Sequence, residues 1–112
     1  MRPKRALSIK QPFAEQIMRG EKTAEFRNRK THIRERVYIY ASLTPGKARE
    51  FAKMNLFPQD LPTGVLIGTV EIVDCTPAGR KYAWQLARPE RLARPRKPAN
   101  RAQPTWFYPF GK

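Results

Sequence analysis

Residues that build disulfides and metal sites are scarce in this sequence, which has one cysteine, Cys75, and one histidine, His32. A single cysteine excludes an internal disulfide and a cage of cysteines around a metal. With one imidazole, a zinc site would have to rely on carboxylates, which such sites seldom do. We therefore expect no metal and no other cofactor, and a reducing, cytoplasmic compartment.

Long apolar runs are also missing. No segment approaches the roughly 18 consecutive apolar residues of a membrane-spanning helix. The basic start of the sequence, residues 1–5, lacks the apolar run that follows such a start in a signal peptide. A basic amphipathic helix long enough to lie on a membrane surface is missing too, so we expect no membrane partner.

Positive charge is present in excess, with 23 Lys and Arg against 9 Asp and Glu and a net charge of +14. Residues 1–36 carry 11 basic and 4 acidic side chains, residues 76–112 carry 9 and 1, and residues 37–75 are nearly neutral. Basic residues that neutralise phosphates release counterions, which drives the binding of nucleic acids. The composition therefore favours a polyanionic partner, RNA ahead of DNA, over the alternative of a cationic protein without one.

The length of the chain predicts one domain, residues 1–112, and hydrophobic periodicity predicts five strands and two short helices in it. The strands are predicted at residues 6–10, 23–27, 36–42, 65–73 and 105–108. The helices are predicted at residues 12–19 and 47–54.

Local features refine these elements. In the first helix, Glu15 and Arg19 are expected to face away from the apolar stripe. Gly20 follows that helix in the position of a C-terminal cap. Gly68, inside the most hydrophobic strand, is expected to mark a bulge or a sharp bend.

Two segments near the end of the chain carry weaker signals. Residues 82–86 are expected to form one or two helical turns, and residues 88–104, rich in proline and arginine, an extended irregular chain. Together the elements predict an α+β fold, a small mixed, partly open β-barrel with proline-rich connectors. An α+β sandwich is the alternative, because strand order does not follow from the pattern.

The segment Gly20–Arg27 groups opposite charges most densely. Thr23, Glu25 and Arg27 share one strand face and Lys22 lies just before it, so the three charges are expected within reach of one another. Such a group binds a polar ligand, because Lys and Arg donate hydrogen bonds and Glu accepts them. The alternative is an exposed strand whose charges only pair with each other.

The same segment is similar to a known family. The run LSIKQPFA (residues 7–14), followed by the spacing GxKxxExR over residues 20–27, resembles the ASCH family of the PUA-like superfamily in its stand-alone bacterial form. All four fixed positions of the family pattern are met. The strand at residues 36–42, the run at residues 68–71 and the aromatic tail are also similar, so the resemblance spans nearly the whole chain.

The resemblance implies a small β-barrel with an RNA-associated cleft lined by the motif residues. Some relatives are amidohydrolases acting on acetylated cytidine, some are reported as ribonucleases, and others are coactivator modules. A hydrolase is therefore the alternative to an RNA-binding module, with Lys22, Glu25 and Glu71 as its candidate catalytic residues and a nucleoside-type ligand as its substrate. The deacetylating members carry a Thr three residues after the motif Lys, where this sequence has Glu25.

Further binding residues are expected around the motif. Lys10 and Gln11 stand between a strand and a helix N terminus, where backbone N–H groups attract anions. Arg29 adds a cation for phosphate or a base edge. Ser42 adds a hydroxyl, and Trp84 is a candidate for stacking on a base, with a core position as its alternative.

Two further predictions leave alternatives open, one for Glu71 and one for residues 91–101. Glu71 either lines the barrel, paired with Lys22, Arg27 or a ligand, or is an ordinary surface acid. Residues 91–101 form either a phosphate track or a solvated loop. A protein-interaction module without nucleic acid is the third functional class that the sequence leaves open.

Overall fold

Six strands and two short α-helices make up the fold in the structure, a computed structural model that describes residues 2–111. The strands are β1 (Ala6–Ile9), β2 (Ala24–Arg27), β3 (Arg36–Ala41), β4 (Val65–Ala78), β5 (Lys81–Arg96) and β6 (Trp106–Phe107). The helices are α1 (Phe13–Met18) and α2 (Ala48–Ala52), and Pro58–Asp60 form a short 3-10 turn. Within the described residues, neither helix has the length and apolar character needed to cross a membrane.

The strands form one mixed sheet in the order β2-β5-β4-β3-β1-β6. Strands β1 and β3 are parallel, and the other neighbours are antiparallel. Strands β2 and β6 stand at the two ends of this order, so hydrogen bonding between strands does not close the sheet into a ring. The prediction of a mixed, partly open α+β barrel is confirmed, with one strand more than expected.

The turn after α1 sets the start of the motif segment. Gly20 has φ +76°, the left-handed conformation that glycine adopts without steric cost. Its N–H donates to the Ile17 carbonyl at 3.1 Å, and the N–H of Glu21 donates to the Gln16 carbonyl at 3.0 Å. This pair of bonds is a Schellman motif, which confirms Gly20 as the helix cap and turns the chain toward β2.

Apolar side chains occupy both faces of the central strands. The larger cluster lies on the α1 side of the sheet and includes Ile17, Val70 and Trp84. The smaller cluster lies on the other face and contains Ala6, Tyr38, Tyr40, Leu66 and Phe107. Strands with both faces covered have near-continuous apolar sequences, which explains the strong hydrophobic runs of β3 and β4.

Gly68 lies where the strand register shifts, as expected. The β3–β4 register shifts between Ile39 and Tyr40, and the β4–β5 register shifts between Leu66 and Gly68 and again between Thr69 and Glu71. A side chain at this position would meet the Met18 sulfur and would come within 2.6 Å of the Glu90 carbonyl oxygen. Glycine is therefore required here by the close approach of α1 and β5.

The predictions for residues 82–86 and most of 88–104 were wrong, because residues 81–96 form the long strand β5. Trp84 and Leu86 enter the core at strand spacing, and residues 82–85 pair with β2 on one edge and β4 on the other. Beyond that point β5 pairs with β4 along one edge. A strand with one unpaired edge tolerates prolines, which is why Pro89 and Pro95 do not end it.

Candidate nucleic-acid interface at the open seam

The two ends of the sheet meet through a side chain rather than through strand pairing. Arg27 on β2 donates from Nη2 to the Ser8 carbonyl oxygen on β1 at 2.9 Å. Its Nη1 donates to Thr105 Oγ1, just before β6, at 3.4 Å. We call this junction the seam; one guanidinium spans the gap between the two ends of the sheet.

Lys22, Glu25 and Arg27 form a connected group of charges, which we call the motif triad. Glu25 Oε2 accepts from Arg27 Nε at 2.8 Å, and Glu25 Oε1 lies 3.5 Å from Lys22 Nζ. The three side chains are only 18%, 13% and 23% exposed in chain order. The predicted grouping is therefore present, and it is largely shielded from solvent.

Apolar surroundings hold the triad's lysine in place. The Lys22 ammonium lies 5.8 Å from the ring centre of Phe13 and 5.4 Å from that of Phe26. Cation–π attraction at such distances adds to the ion pair with Glu25. The cap at Gly20 and the alternation of side chains along β2 together place these groups on one side of the strand.

A cleft lined by aromatic and basic side chains lies beside Arg27. Trp84 and Trp106 stack with ring centres 5.7 Å apart and planes 7° from parallel. The Arg27 guanidinium carbon lies 5.7 Å from the Trp84 ring centre, and the Trp84 indole N–H donates to the Arg29 carbonyl at 2.9 Å. The cleft, of about 440 Å³, is lined by Arg27, Asn28, Arg29, Lys30, Trp84, Thr105 and Trp106. We call it the seam cleft.

Three of the expected binding residues, Arg27, Arg29 and Trp84, thus come together in one place. Trp84 is 3% exposed and belongs to the core, so its partner Trp106, half-buried, is the more accessible ring. Sequence reasoning did not assign Lys30, Thr105 and Trp106 to the site. The signal that would have found the last two is strand order, because β6 reaches β2 only across the seam.

Gln11 lies inside the protein. Its side chain is fully buried, Oε1 accepts from the Glu15 N–H at 2.9 Å, and Nε2 donates to the Pro62 carbonyl at 3.1 Å. The amide therefore ties the β1–α1 turn to the loop before β4, and we leave it out of the proposed interface.

Lys10 and Ser42 lie close to the ends of two paired strands. Lys10 is exposed and stands two residues beyond Ser8, whose carbonyl accepts from Arg27. Ser42 is half-buried at the end of β3, and its N–H donates to the Ile9 carbonyl at 3.0 Å. Their role in binding stays a prediction.

Glu71 lies outside the motif triad. Its carboxylate pairs with Arg88 Nη2 at 2.8 Å and Arg36 Nη2 at 3.4 Å, so of the two alternatives the pairing with Lys22 or Arg27 is not observed. Because side chains alternate along a strand, Glu71 faces away from the larger core cluster that holds Val70. The hydrogen bond from Arg88 lowers the pKa of Glu71, burial opposes it less strongly, and the charges of both arginines lower the pKa further.

The side chains at the seam suit an anionic or planar ligand better than a metal. Among residues 2–111, no three His, Cys, Asp or Glu side chains gather as a metal site requires. The seam cleft instead offers guanidinium and ammonium groups for oxygen atoms and indole faces for flat rings.

Comparison with known proteins places these features in a family. The chain matches the ASCH domain over residues 7–107, which include both sides of the seam. This protein belongs to the ASCH domain family. The ASCH domain is similar to Activating signal cointegrator 1 from Homo sapiens and from Mus musculus, with 32% identity over 80 residues in each case. Those alignments cover 62% of this chain, which spans 14% of the length of either relative.

A solved structure supports the fold of this ASCH domain. The crystal structure of ASCH from Zymomonas mobilis superposes with a TM-score of 0.65 at 17% sequence identity. The superposition covers 93% of this chain and 85% of the other. The resemblance found in the sequence is therefore confirmed at the level of family and fold.

Proposed function

We propose that this ASCH domain binds RNA through the seam cleft. The observation that carries the proposal is the half-buried Trp106 ring, which stacks on the core residue Trp84 beside Arg27, Arg29 and Lys30 at the open edge of the sheet. Aromatic rings bind bases by stacking, at about 1–3 kcal/mol per base, and basic side chains neutralise the phosphates between them. A site that combines both fits a nucleic acid better than it fits an acidic protein surface.

The cations of the cleft divide into two roles. Arg27 already forms hydrogen bonds with Glu25, Ser8 and Thr105. We therefore expect it to act as a positioning residue that holds the seam together. Arg29 and Lys30 are exposed, and no carboxylate within residues 2–111 forms a salt bridge with either. We expect these two side chains to contact phosphates.

Binding of short single-stranded RNAs, followed by fluorescence anisotropy over a range of salt concentrations, tests the proposal. The double variant Arg29→Gln, Lys30→Gln is expected to lose about ten-fold in affinity, and the slope of log K against log salt should fall by about 1.4, since each phosphate contact contributes about 0.7. The matched control is Arg80→Gln, Lys81→Gln at the β4–β5 turn, which changes the net charge equally. Equal losses in the two variants would show that only net charge acts and would refute the seam cleft as the binding site.

A hydrolase is the second candidate, and the contact between Lys22 and Glu25 favours it. An ammonium and a carboxylate 3.5 Å apart, both largely shielded, are groups that attack or move protons in enzymes. Incubation with acetylated cytidine and with structured RNA, followed by chromatography of the products, tests this candidate. Product that forms with the wild type and disappears in Lys22→Ala and Glu25→Gln would support the hydrolase. RNA binding without any product would contradict the hydrolase and support the binding module.

A further inference from the structure

The seam cleft is the first of four adjoining depressions that together form a belt around the domain. It shares Trp106 with a second depression of about 400 Å³. The second shares Arg5 with a third of about 280 Å³, and the third shares Arg36 with a fourth of about 580 Å³. Each neighbouring pair of depressions thus shares a lining residue, and the series runs from β2 to the far half of β5.

The belt beyond the seam cleft is strongly basic. The linings of the second, third and fourth depressions hold seven basic side chains and two acidic ones, Glu35 and Glu90. Both acids are already paired, Glu35 with Arg5 at 3.1 Å and Glu90 with Arg36 at 3.4 Å. The remaining five are Arg2, Lys4, Arg91, Arg96 and Arg101, of which Arg91 pairs with Glu15 on α1.

Arginines lie against aromatic rings at intervals along the belt. After the Arg27–Trp84 contact of the seam cleft, the Arg5 guanidinium lies 5.7 Å from the centre of the Tyr108 ring. Arg96 lies 4.1 Å from the centre of the Phe110 ring. Tyr108 is 40% exposed and Phe110 is 38% exposed, so both rings retain surface for stacking. The belt therefore offers cations and rings, the two kinds of group that bind the phosphates and the bases of a single strand.

We infer that the belt is a track for one single strand of RNA, which occupies the seam cleft and continues past Arg5 to Arg96. This inference rests on the proposed function of the seam cleft and extends it to a longer ligand. The track leads from the α1 side of the sheet, where Trp84 lies, to the opposite face, where the fourth depression is lined by Tyr38 and Leu92.

The shape of the track favours a single strand over a duplex. The domain measures 35 × 34 × 23 Å, and a strand that passes from one face of the sheet to the other must bend sharply over that distance. Duplexes resist such bending, since even DNA has a persistence length of about 50 nm. A flexible single strand follows the depressions at little cost, and sites of this kind cover about 4–16 nucleotides.

The test compares single-stranded RNAs of about 4 and about 12 nucleotides, lengths at the two ends of the range such a track would hold. A distal variant of the full chain carries Arg2→Gln, Arg96→Gln and Arg101→Gln, all exposed positions. Its matched control carries Arg49→Gln, Lys53→Gln and Arg80→Gln, which are also exposed and lie off the belt. Thermal melting of each variant establishes that it folds.

The wild-type domain is expected to bind the longer RNA at least about ten-fold more tightly than the shorter one, because more phosphates are contacted. The distal variant should lose most of that gain, and its salt slope on the longer RNA should fall by about 2, at about 0.7 for each phosphate contact. Binding of the shorter RNA should stay within about two-fold, since the seam cleft is unchanged.

Failure of the track and failure of the seam cleft give different results. If the distal variant matches its control, the track is refuted, while short-RNA binding that depends on Arg29 and Lys30 still supports the seam cleft. If the wild type binds neither RNA, both proposals fall. A duplex RNA bound as tightly as the longer single strand would overturn the single-strand assignment, and tighter binding of single-stranded DNA of the same length would overturn the choice of RNA.

Discussion

The motif triad and the charge cluster around Glu71 use the same residue types in two different settings. In the triad, Glu25 is 13% exposed and its arginine joins β2 to β1 and to the residue before β6. Around Glu71 the carboxylate is 35% exposed and its partner Arg88 is 61% exposed. The Glu71 cluster links β3, β4 and β5, which already pair through their backbones.

The two groups of charges differ in whether backbone pairing already joins the strands that they connect. At the seam no strand pairing joins the ends of the sheet, so side-chain hydrogen bonds supply the connection. Around Glu71 backbone pairing already joins the three strands without the side chains. Those side chains remain near solvent, where ion pairs contribute little. Similar groups of charges therefore predict unequal effects on stability. Arg27→Ala and Glu71→Gln measure this difference, and Glu15→Gln tests a third, buried carboxylate that ranks between them.

The largest effect is expected for Arg27→Ala. The substitution removes the bridge across the seam and leaves Glu25 shielded from solvent with Lys22 as its remaining partner. Loss of a shielded, hydrogen-bonded ion pair typically costs about 3–5 kcal/mol, and the residual exposure here reduces that to about 2–4 kcal/mol. Chemical denaturation followed by circular dichroism measures the change in the free energy of unfolding.

Arg27→Lys is the matched control for this substitution. Lysine keeps the charge but lacks the planar fork that reaches Glu25, Ser8 and Thr105 together. If the fork matters, this variant should recover less than half of the lost stability. Full recovery by lysine would show that charge alone holds the seam.

The triad could be predicted from the sequence because it depends on spacing within the eight residues Gly20–Arg27. The strand period of two and the glycine cap place Lys22, Glu25 and Arg27 together without knowledge of the fold. The contact between Arg27 and Thr105 joins residues 78 positions apart, so it follows only from strand order. The β2 side of the seam cleft could therefore be predicted from the sequence, whereas its β6 side required the structure.

Two local rules failed where tertiary context decided the outcome. Prolines at 89 and 95 indicated an irregular chain, yet the free edge of β5 accommodates them. Glu15 was expected on the exposed face of α1, but β5 packs over that face and the side chain is buried. Arg91 then supplies a bidentate pair to Glu15, at 2.9 and 3.0 Å, with Arg19 at 2.7 Å.

Glu15→Gln is expected to have the second-largest effect, and that effect should depend on pH. Burial raises the pKa of Glu15, but hydrogen bonds and charges from Arg91 and Arg19 outweigh it and hold the pKa below its usual value of 4.5. A carboxyl whose pKa is lower when folded stabilises the fold above its usual pKa, and this stabilisation is lost as the pH falls through the lowered value. At pH 7 the variant should lose about 1.5–3 kcal/mol, the range for hydrogen bonds to charged groups.

The measurement for Glu15 is the difference in unfolding free energy between wild type and variant at several pH values. The difference should be full at pH 7 and should shrink as the pH falls below 4.5 and through the lowered pKa of the wild-type carboxyl, which then takes up a proton. A difference in unfolding free energy that stays constant down to acidic pH would show that the shape of the Glu15 side chain, rather than its charge, stabilises the fold.

The smallest effect on stability is expected for Glu71→Gln, which tests the second of the two charge clusters. Its pairs with Arg88 and Arg36 lie at the surface, where water replaces them readily, so stability at pH 7 should change much less than in Arg27→Ala. Because the pKa of Glu71 is lowered, any contribution present at neutral pH should again fade on acidification. Binding of the short RNA of about 4 nucleotides should persist in this variant, since Glu71 does not line the seam cleft. A loss of stability as large as that of Arg27→Ala would contradict the distinction between the two charge clusters.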